Sequence, residues 1–234
     1  MTASADTTVA GPVDSLEIRW IVAGPLGTAM REWFARFPTG SQARQDTYLL
    51  QPRLAGLSVK LRGGSALDVK SYLGSPGILG PAERGRLESW RKWSFPYDTK
   101  APPDAANAPY AANAVSAYAA NAVSAGWIAV SKKRSGIWFP LSASQDVAPA
   151  PRLTAQTGCA VELTEAEVRG EPWWTVGFEA TGSASLLHTA LRRAADQMFA
   201  QPLPPGIDFT LNNCCSYTQW LSQWPSLDLD SPNP

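Results

Sequence analysis

The stretch that decides the fold runs from Leu57 to Gly74 and reads LSVKLRGGSALDVKSYLG. Two short apolar segments are joined by Gly-Gly-Ser, the pattern of a β-hairpin. Successive side chains of a strand point to opposite faces, so Lys60 and Arg62 share one face of the first strand, and Lys70 lies on the polar face of the second. A strand that faces water usually carries polar residues of mixed sign. The one-sided cations therefore need an explanation.

The same alternation assigns faces in other predicted strands. In four further segments, alternation places a set of residues on the face that carries the charged side chains. These sets are Glu17 and Arg19; Glu88, Trp90 and Lys92; Trp173, Thr175, Gly177 and Glu179; and Glu162. Two interpretations stay open. The polar face either meets solvent on an open sheet, or it lines the interior of a closed one. The aromatic residues Tyr72, Trp90 and Trp173 on this face, together with its excess of Arg and Lys, favour the second interpretation.

The order of the predicted elements indicates an α+β fold. Eight or nine strands arrive as hairpins with about three helices between them, which predicts an antiparallel sheet rolled toward a barrel. We expect helices over 27–37 and 183–198, a Ser-Gly turn that divides 126–141 into two strands, and a short strand IDFTL at 207–211. The aromatic segment SYTQWLSQW (216–224) is expected to pack against the barrel and plug one of its ends.

One domain accounts for most of the chain. We expect a disordered leader at 1–14, a single barrel domain at 15–224 and a tail at 225–234. A low-complexity insertion at about 101–126 contains the repeat YAANAVSA at 110–117 and again at 118–125. The repeat has no charge and few large apolar residues, so it cannot build a core of its own.

Composition limits the classes of partner. Hydrophobic residues make up 44% of the 234 residues, charged residues 17%, and the formal net charge is zero. These values predict a globular chain, and they argue against nucleic acid or membrane as a partner, so that any cationic site must be local. The sequence lacks a long apolar run and a signal-peptide pattern, from which we expect a cytoplasmic protein. Ten tryptophans could wall a ligand cavity as well as pack the core.

Several short motifs occur in an order that resembles the CYTH superfamily, the triphosphate tunnel proteins that include adenylate cyclases, thiamine triphosphatases and inorganic triphosphatases. These motifs are Glu-Ile-Arg at 17–19, Asp-Thr-Tyr-Leu at 46–49, Lys-Leu-Arg at 60–62, LDVK at 67–70, the basic cluster at 132–134 and the late strand ending in Glu179. The resemblance implies an eight-stranded antiparallel tunnel whose basic residues bind polyphosphate while glutamates hold a divalent metal ion.

The resemblance and the alternation together predict the site. The expected catalytic residues are Lys60, Lys70 and Glu88. The expected substrate-binding residues are Arg19, Arg44, Arg62, Tyr72, Trp90, Lys92, Lys132, Arg134 and Trp173. The expected metal ligands are Glu17, Glu162 and Glu179, which would hold one Mg²⁺ or Mn²⁺ ion. Arg and Lys suit phosphate oxygens, and these cations prefer oxygen ligands.

Two positions depart from the family pattern. The first strand of the family carries Glu-x-Glu-x-Lys, whereas this chain has Ser15, Glu17 and Arg19. The late Glu-x-Glu pair is replaced by Gly177 and Glu179. Two expected carboxylates are therefore absent, which favours a single metal ion over two. The carboxylates that could still compose one site are Glu17, Glu179, Glu162, Glu88 and Asp68.

Three functions are compatible with these residues. The first is an enzyme, of phosphohydrolase or lyase type, that acts with one divalent ion on a phosphorylated or diphosphorylated organic compound. The second is a catalytically inactive protein that binds an anionic metabolite. The third is a barrel for a neutral hydrophobic ligand.

Overall fold

A computed structural model describes residues 11–37, 39–50, 56–63, 66–80, 84–96, 126–141 and 156–224. The first ten residues of the predicted leader, nearly all of the predicted insertion and the whole tail lie outside these ranges. Strand β1 begins at Val13, inside the stretch predicted as leader.

Eight strands form a closed antiparallel barrel. They are β1 (Val13–Ala23), β2 (Gly40–Leu49), β3 (Leu57–Arg62), β4 (Ala66–Ile78), β5 (Arg86–Pro96), β6 (Trp127–Pro140), β7 (Gly158–Val168) and β8 (Glu171–Thr181). Around the barrel the order is β1-β5-β4-β3-β2-β6-β7-β8, and β8 pairs with β1 to close it. The barrel confirms the fold that the resemblance implies and overturns the open, solvent-facing sheet.

The side chains of β1 alternate between the outside and the inside of the barrel, as the sequence predicts. Leu16, Ile18 and Trp20 are buried in the larger apolar cluster outside the barrel, whereas Glu17 and Arg19 line its interior. Helices α1 (Thr28–Ala35) and α2 (Leu187–Phe199) contribute their apolar stripes to the same cluster. The period of each helix places these residues on one side, so the helices cover the outer face of the sheet.

One predicted turn is wrong. Ser135 and Gly136 continue strand β6, which runs unbroken from Trp127 to Pro140. Neighbours on both sides hold the backbone extended here, because Gly136 pairs with Gly40 of β2 and with Glu162 of β7. A Ser-Gly pair favours a turn only where the backbone is not hydrogen-bonded to neighbouring strands on both sides.

The predicted strand IDFTL is also wrong, because residues 207–210 have no regular secondary structure. Phe209 is buried and stacks on Trp20, with 4.9 Å between the ring centroids. A closed barrel offers no sheet edge to a ninth strand. The segment therefore packs through its side chains on the outside of β1.

The chain ends its described part with a short helix, α3 (Tyr217–Leu221). Ser216 caps it by accepting a hydrogen bond from the Gln219 backbone N–H, a common N-terminal arrangement. Across the described ranges, every helix is too short or too polar to span a membrane.

Candidate functional site

The interior of the barrel contains a cavity of about 380 Å³. Eight cations line it: Arg19, Arg44, Lys60, Arg62, Lys70, Lys92, Lys132 and Arg134. Five carboxylates join them: Glu17, Asp68, Glu88, Glu162 and Glu179. The walls therefore carry more positive than negative groups, although the net charge of the whole chain is zero.

Asp46 is a buried carboxylate that three cations share. Its oxygens lie 3.0 Å from Lys132 Nζ, 3.1 Å from Arg44 Nε and 3.6 Å from Lys60 Nζ. Burial alone would raise the pKa of Asp46, but the three cations outweigh it and hold the pKa well below its usual range. Asp46 therefore stays ionised and offsets only part of the surrounding positive charge.

Asp68 on β4 has an environment similar to that of Asp46 on β2, with β3 between the two strands. Its Oδ2 accepts a hydrogen bond from Arg62 Nε at 2.9 Å and lies 3.6 Å from Lys92 Nζ and 3.8 Å from Lys60 Nζ. Ser94 Oγ donates to its other oxygen at 2.6 Å. Burial would raise the pKa of Asp68, but the serine and the cations lower it overall. Lys60 thus bridges two carboxylates, each shared among three cations.

The crowding of like charges lowers the pKa values of the cations. Burial, and then repulsion from Lys132, lowers the pKa of Lys60 well below its ordinary value. Burial lowers the pKa of Lys132 to about 7, with Asp46 opposing the shift. Burial and the neighbouring Arg44 and Arg19 lower the pKa of Arg134 to about 10. Additional negative charge in the cavity would stabilise the protonated, positively charged forms of these three side chains.

Three glutamates lie side by side across neighbouring strands. In the register of the sheet, Glu17 of β1 is opposite Glu88 of β5 on one side and opposite Glu179 of β8 on the other. We call these three the carboxylate row. Lys70 Nζ lies 2.5 Å from Glu17 Oε1 and 3.7 Å from Glu179 Oε1. Glu88 accepts a hydrogen bond from Trp90 Nε1 at 3.0 Å, and burial raises its pKa.

Arg19 occupies the space that Gly177 leaves. A Cβ atom at position 177 would stand 2.5 Å from Arg19 Cζ, so only glycine admits the guanidinium in this position. Arg19 Nη1 donates to Thr175 Oγ1 at 3.1 Å, and its Nη2 is 4.0 Å from Glu162 Oε2. Glu162 is also paired with Arg134. Gly177 thus leaves room for a cation at a position where a carboxylate was expected.

Aromatic residues close one end of the cavity. Tyr217 of α3 stacks on Tyr48 with 5.6 Å between centroids, and its ring lies 4.0 Å from Lys132 Nζ and 4.9 Å from Arg19 Cζ. Trp220, three residues further along the helix, packs against Trp173 at the start of β8 with 5.3 Å between ring centroids. The segment therefore packs against the barrel as predicted, with Tyr217 facing the charged interior.

Most predicted site residues come together. All of them line the cavity except Tyr72 and Trp173, which are not among the described lining residues. Tyr72 is 37% exposed and contacts Trp90, with 5.2 Å between ring centroids. Trp173 belongs to the aromatic cluster at the closed end, between Trp220 and Trp224.

Asp46 and Tyr217 were missed as site residues. Alternation in the segment RQDTYLL places Arg44, Asp46 and Tyr48 on one face, so the same rule that found Lys60 could have found Asp46. No comparable signal exists for Tyr217, because its place in the cavity depends on how a distant segment folds back over the barrel end.

The predicted metal ligands do not form one group. Glu17 and Glu179 are held by Lys70, while Glu162 is held by two arginines. Within the described ranges, no set of three or more His, Cys, Asp or Glu side chains is arranged to hold a metal ion. In this arrangement the side chains do not fit a divalent cation.

Comparisons with known proteins add only a general likeness of fold. No protein-family model and no curated protein matches the chain. Among solved structures, the PH1819 protein of Pyrococcus horikoshii is similar at a TM-score of 0.44 and 13% identity, over 88% of this chain and 98% of that one. A conserved hypothetical protein of Pyrococcus furiosus gives 0.41 and 14%, over 87% and 98%. The mimivirus capping enzyme triphosphatase gives 0.36 and 8%, over 80% and 90%.

Proposed function

We propose that the barrel binds a phosphorylated or diphosphorylated organic compound, with its phosphate groups among the cations of the cavity. The observation that carries this proposal is the sharing of Asp46 and Asp68, each among three cations. Concentrating positive charge in a poorly solvated cavity is unfavourable unless a further anion completes the neutralisation. A phosphate ester provides several oxygens that Arg and Lys bind well.

The organic part of the ligand would contact Trp90, the tryptophan that lines the cavity. Its indole is buried and donates to Glu88, and Tyr72 packs against it toward the surface. An aromatic or prenyl-like group beside the phosphates would therefore meet apolar surface at this position.

The test is calorimetric titration with tripolyphosphate, which carries the phosphate charges without the organic part. Lys132→Met is expected to lower the affinity by about tenfold or more, since it removes a cation from the cavity. Lys133→Met is the matched control, because Lys133 is exposed on the same strand. Equal loss in both variants, or no binding by the natural sequence, would contradict the proposal.

Turnover of the bound compound is the second candidate function. Glu88 lines the cavity and burial raises its pKa, as a general acid requires. Release of phosphate from a phosphate ester by the natural protein, and its loss in Glu88→Gln, would establish it. A neutral hydrophobic ligand, the third alternative, predicts that tripolyphosphate has no effect on stability.

A further inference from the structure

The carboxylate row is an arrangement that requires a cation. Residues directly opposite each other in a sheet have Cβ atoms about 5 Å apart, and like charges in such pairs repel. Glu17 has a glutamate opposite it on both sides, Glu88 and Glu179. Carboxylates in adjacent positions that face one cavity repel each other unless positive charge lies among them or one of them keeps its proton.

Lys70 supplies that charge from β4. Its Nζ is within hydrogen-bonding distance of Glu17 Oε1, at 2.5 Å, and within ion-pair distance of Glu179 Oε1, at 3.7 Å. Lys70 therefore pairs with two of the three carboxylates of the row.

Ser15 and Gly177 support the same arrangement. Ser15 Oγ donates to Glu17 Oε1 at 2.6 Å, the same oxygen that receives Lys70, and so fixes the carboxylate toward the ammonium group. Gly177 admits the guanidinium of Arg19. Neither Ser15 nor Gly177 carries a charge, so neither adds a carboxylate beside Glu17 or Glu179. Within the row, Glu17 and Glu179 are paired with a cation of the chain itself.

We propose that the ammonium group of Lys70 takes the place of a divalent metal ion in this barrel, so that the protein binds its anion without metal. The claim about the anion rests on the proposed function, whereas the occupation of the row by Lys70 does not. A divalent ion added to the natural protein would have to displace Lys70 and leave an uncompensated ammonium group in the cavity.

The test measures metal binding directly, by the loss of the free Mn²⁺ signal in electron paramagnetic resonance, with no anion added. The natural protein is expected to leave Mn²⁺ free. Lys70→Met frees Glu17 and Glu179, next to Glu88, as oxygen ligands and is expected to bind Mn²⁺ at least about tenfold more tightly. Glu17→Gln in the Lys70→Met background is expected to abolish this binding.

Lys92→Met is the matched control, since Lys92 is the register partner of Lys70 on β5 and also lines the cavity. It is expected to leave Mn²⁺ free. Lys70→Gln serves as a second variant if Lys70→Met does not fold. Tight Mn²⁺ binding by the natural protein, or none by a folded Lys70 variant, would overturn the proposal.

The anion is tested separately, by titration of the natural protein with tripolyphosphate in EDTA. We expect binding there, which would support both proposals. Absence of binding in EDTA and in Mn²⁺ would remove the proposed function but leave the metal result intact. Binding only in Mn²⁺ would contradict the role of Lys70 while preserving the anion site.

Discussion

Gly177 shows how a missing side chain can create a binding group. The guanidinium of Arg19 lies where a Cβ atom at position 177 would be, and Thr175 and Tyr217 hold it there. The backbone at Gly177 does not have a positive φ angle. The glycine is required here for space and not for backbone freedom.

Gly177→Ala is therefore expected to weaken the anion site more than the fold. The added methyl group displaces the end of a flexible side chain, so we expect a change of about 1 kcal/mol in the free energy of unfolding and about a tenfold loss of tripolyphosphate affinity by calorimetry. In the double variant with Arg19→Met, the loss should not exceed that of Arg19→Met alone. Additive losses would contradict the steric explanation.

The lowered pKa of Lys132 predicts that the free energy of unfolding depends on pH. Because burial lowers its pKa to about 7, unfolding takes up a proton between pH 7 and the ordinary lysine pKa of 10.5. The free energy of unfolding of the ligand-free protein should thus rise over this range, since the cost of the buried charge disappears as Lys132 loses its proton. Denaturation by urea at pH 7 and pH 9 measures the rise, which should be smaller in Lys132→Met.

The same lysine should take up a proton when an anion binds, because nearby negative charge favours its ammonium form. Calorimetry at pH 8 in buffers of different ionisation enthalpy measures this uptake. Lys132→Met should take up fewer protons, whereas Lys133→Met should match the natural protein. Identical uptake in all three proteins would show that Lys132 does not titrate on binding.

At the scale of elements, the short helix α3 depends on tertiary packing. Five residues are too few to be stable alone. Trp220 is buried against Trp173, Tyr217 and Trp224, with ring centroids 5.1 to 5.5 Å away. This packing holds Tyr217 over the cations of the cavity.

Trp220→Ala is expected to lower the free energy of unfolding by about 3–5 kcal/mol, through loss of apolar contacts and the cavity left behind. Trp220→Phe should cost much less, since the indole Nε1 has no hydrogen-bond partner among the described residues. Urea denaturation compares the two. A loss below about 1 kcal/mol for Trp220→Ala would mean that the closure of this end contributes little to stability.

The two-residue alternation of side chains along a strand made the faces of several strands predictable from the sequence. Alternation separated the two faces of β1, β3, β4 and β8, because a side chain on a strand has only two directions available. It also identified Lys60, Arg62 and Lys70 as members of one cationic wall. The hairpin between β7 and β8 was predictable too, from Arg169 and Gly170, both of which have positive φ angles.

Tertiary context determined what the sequence did not reveal. The turn expected at Ser135 and Gly136 is overridden by pairing on both sides, and the strand expected at 207–211 has no edge to join. The same holds for the metal ligands. Residue types suggested that Glu17 and Glu179 would coordinate an ion, but only the folded barrel reveals that Lys70 reaches both.

The closure of one end by α3 determines how a long polyanion could meet the molecule. A barrel open at both ends would let a polymer thread through, so that any linkage along it could pass the charged walls. Among the described residues, Tyr217 and Trp220 lie across one end, so under the proposed function a polyanion would enter by one of its termini from the other end. The barrel would therefore recognise the ends of chains or short free molecules, and internal linkages of a polymer would stay outside it.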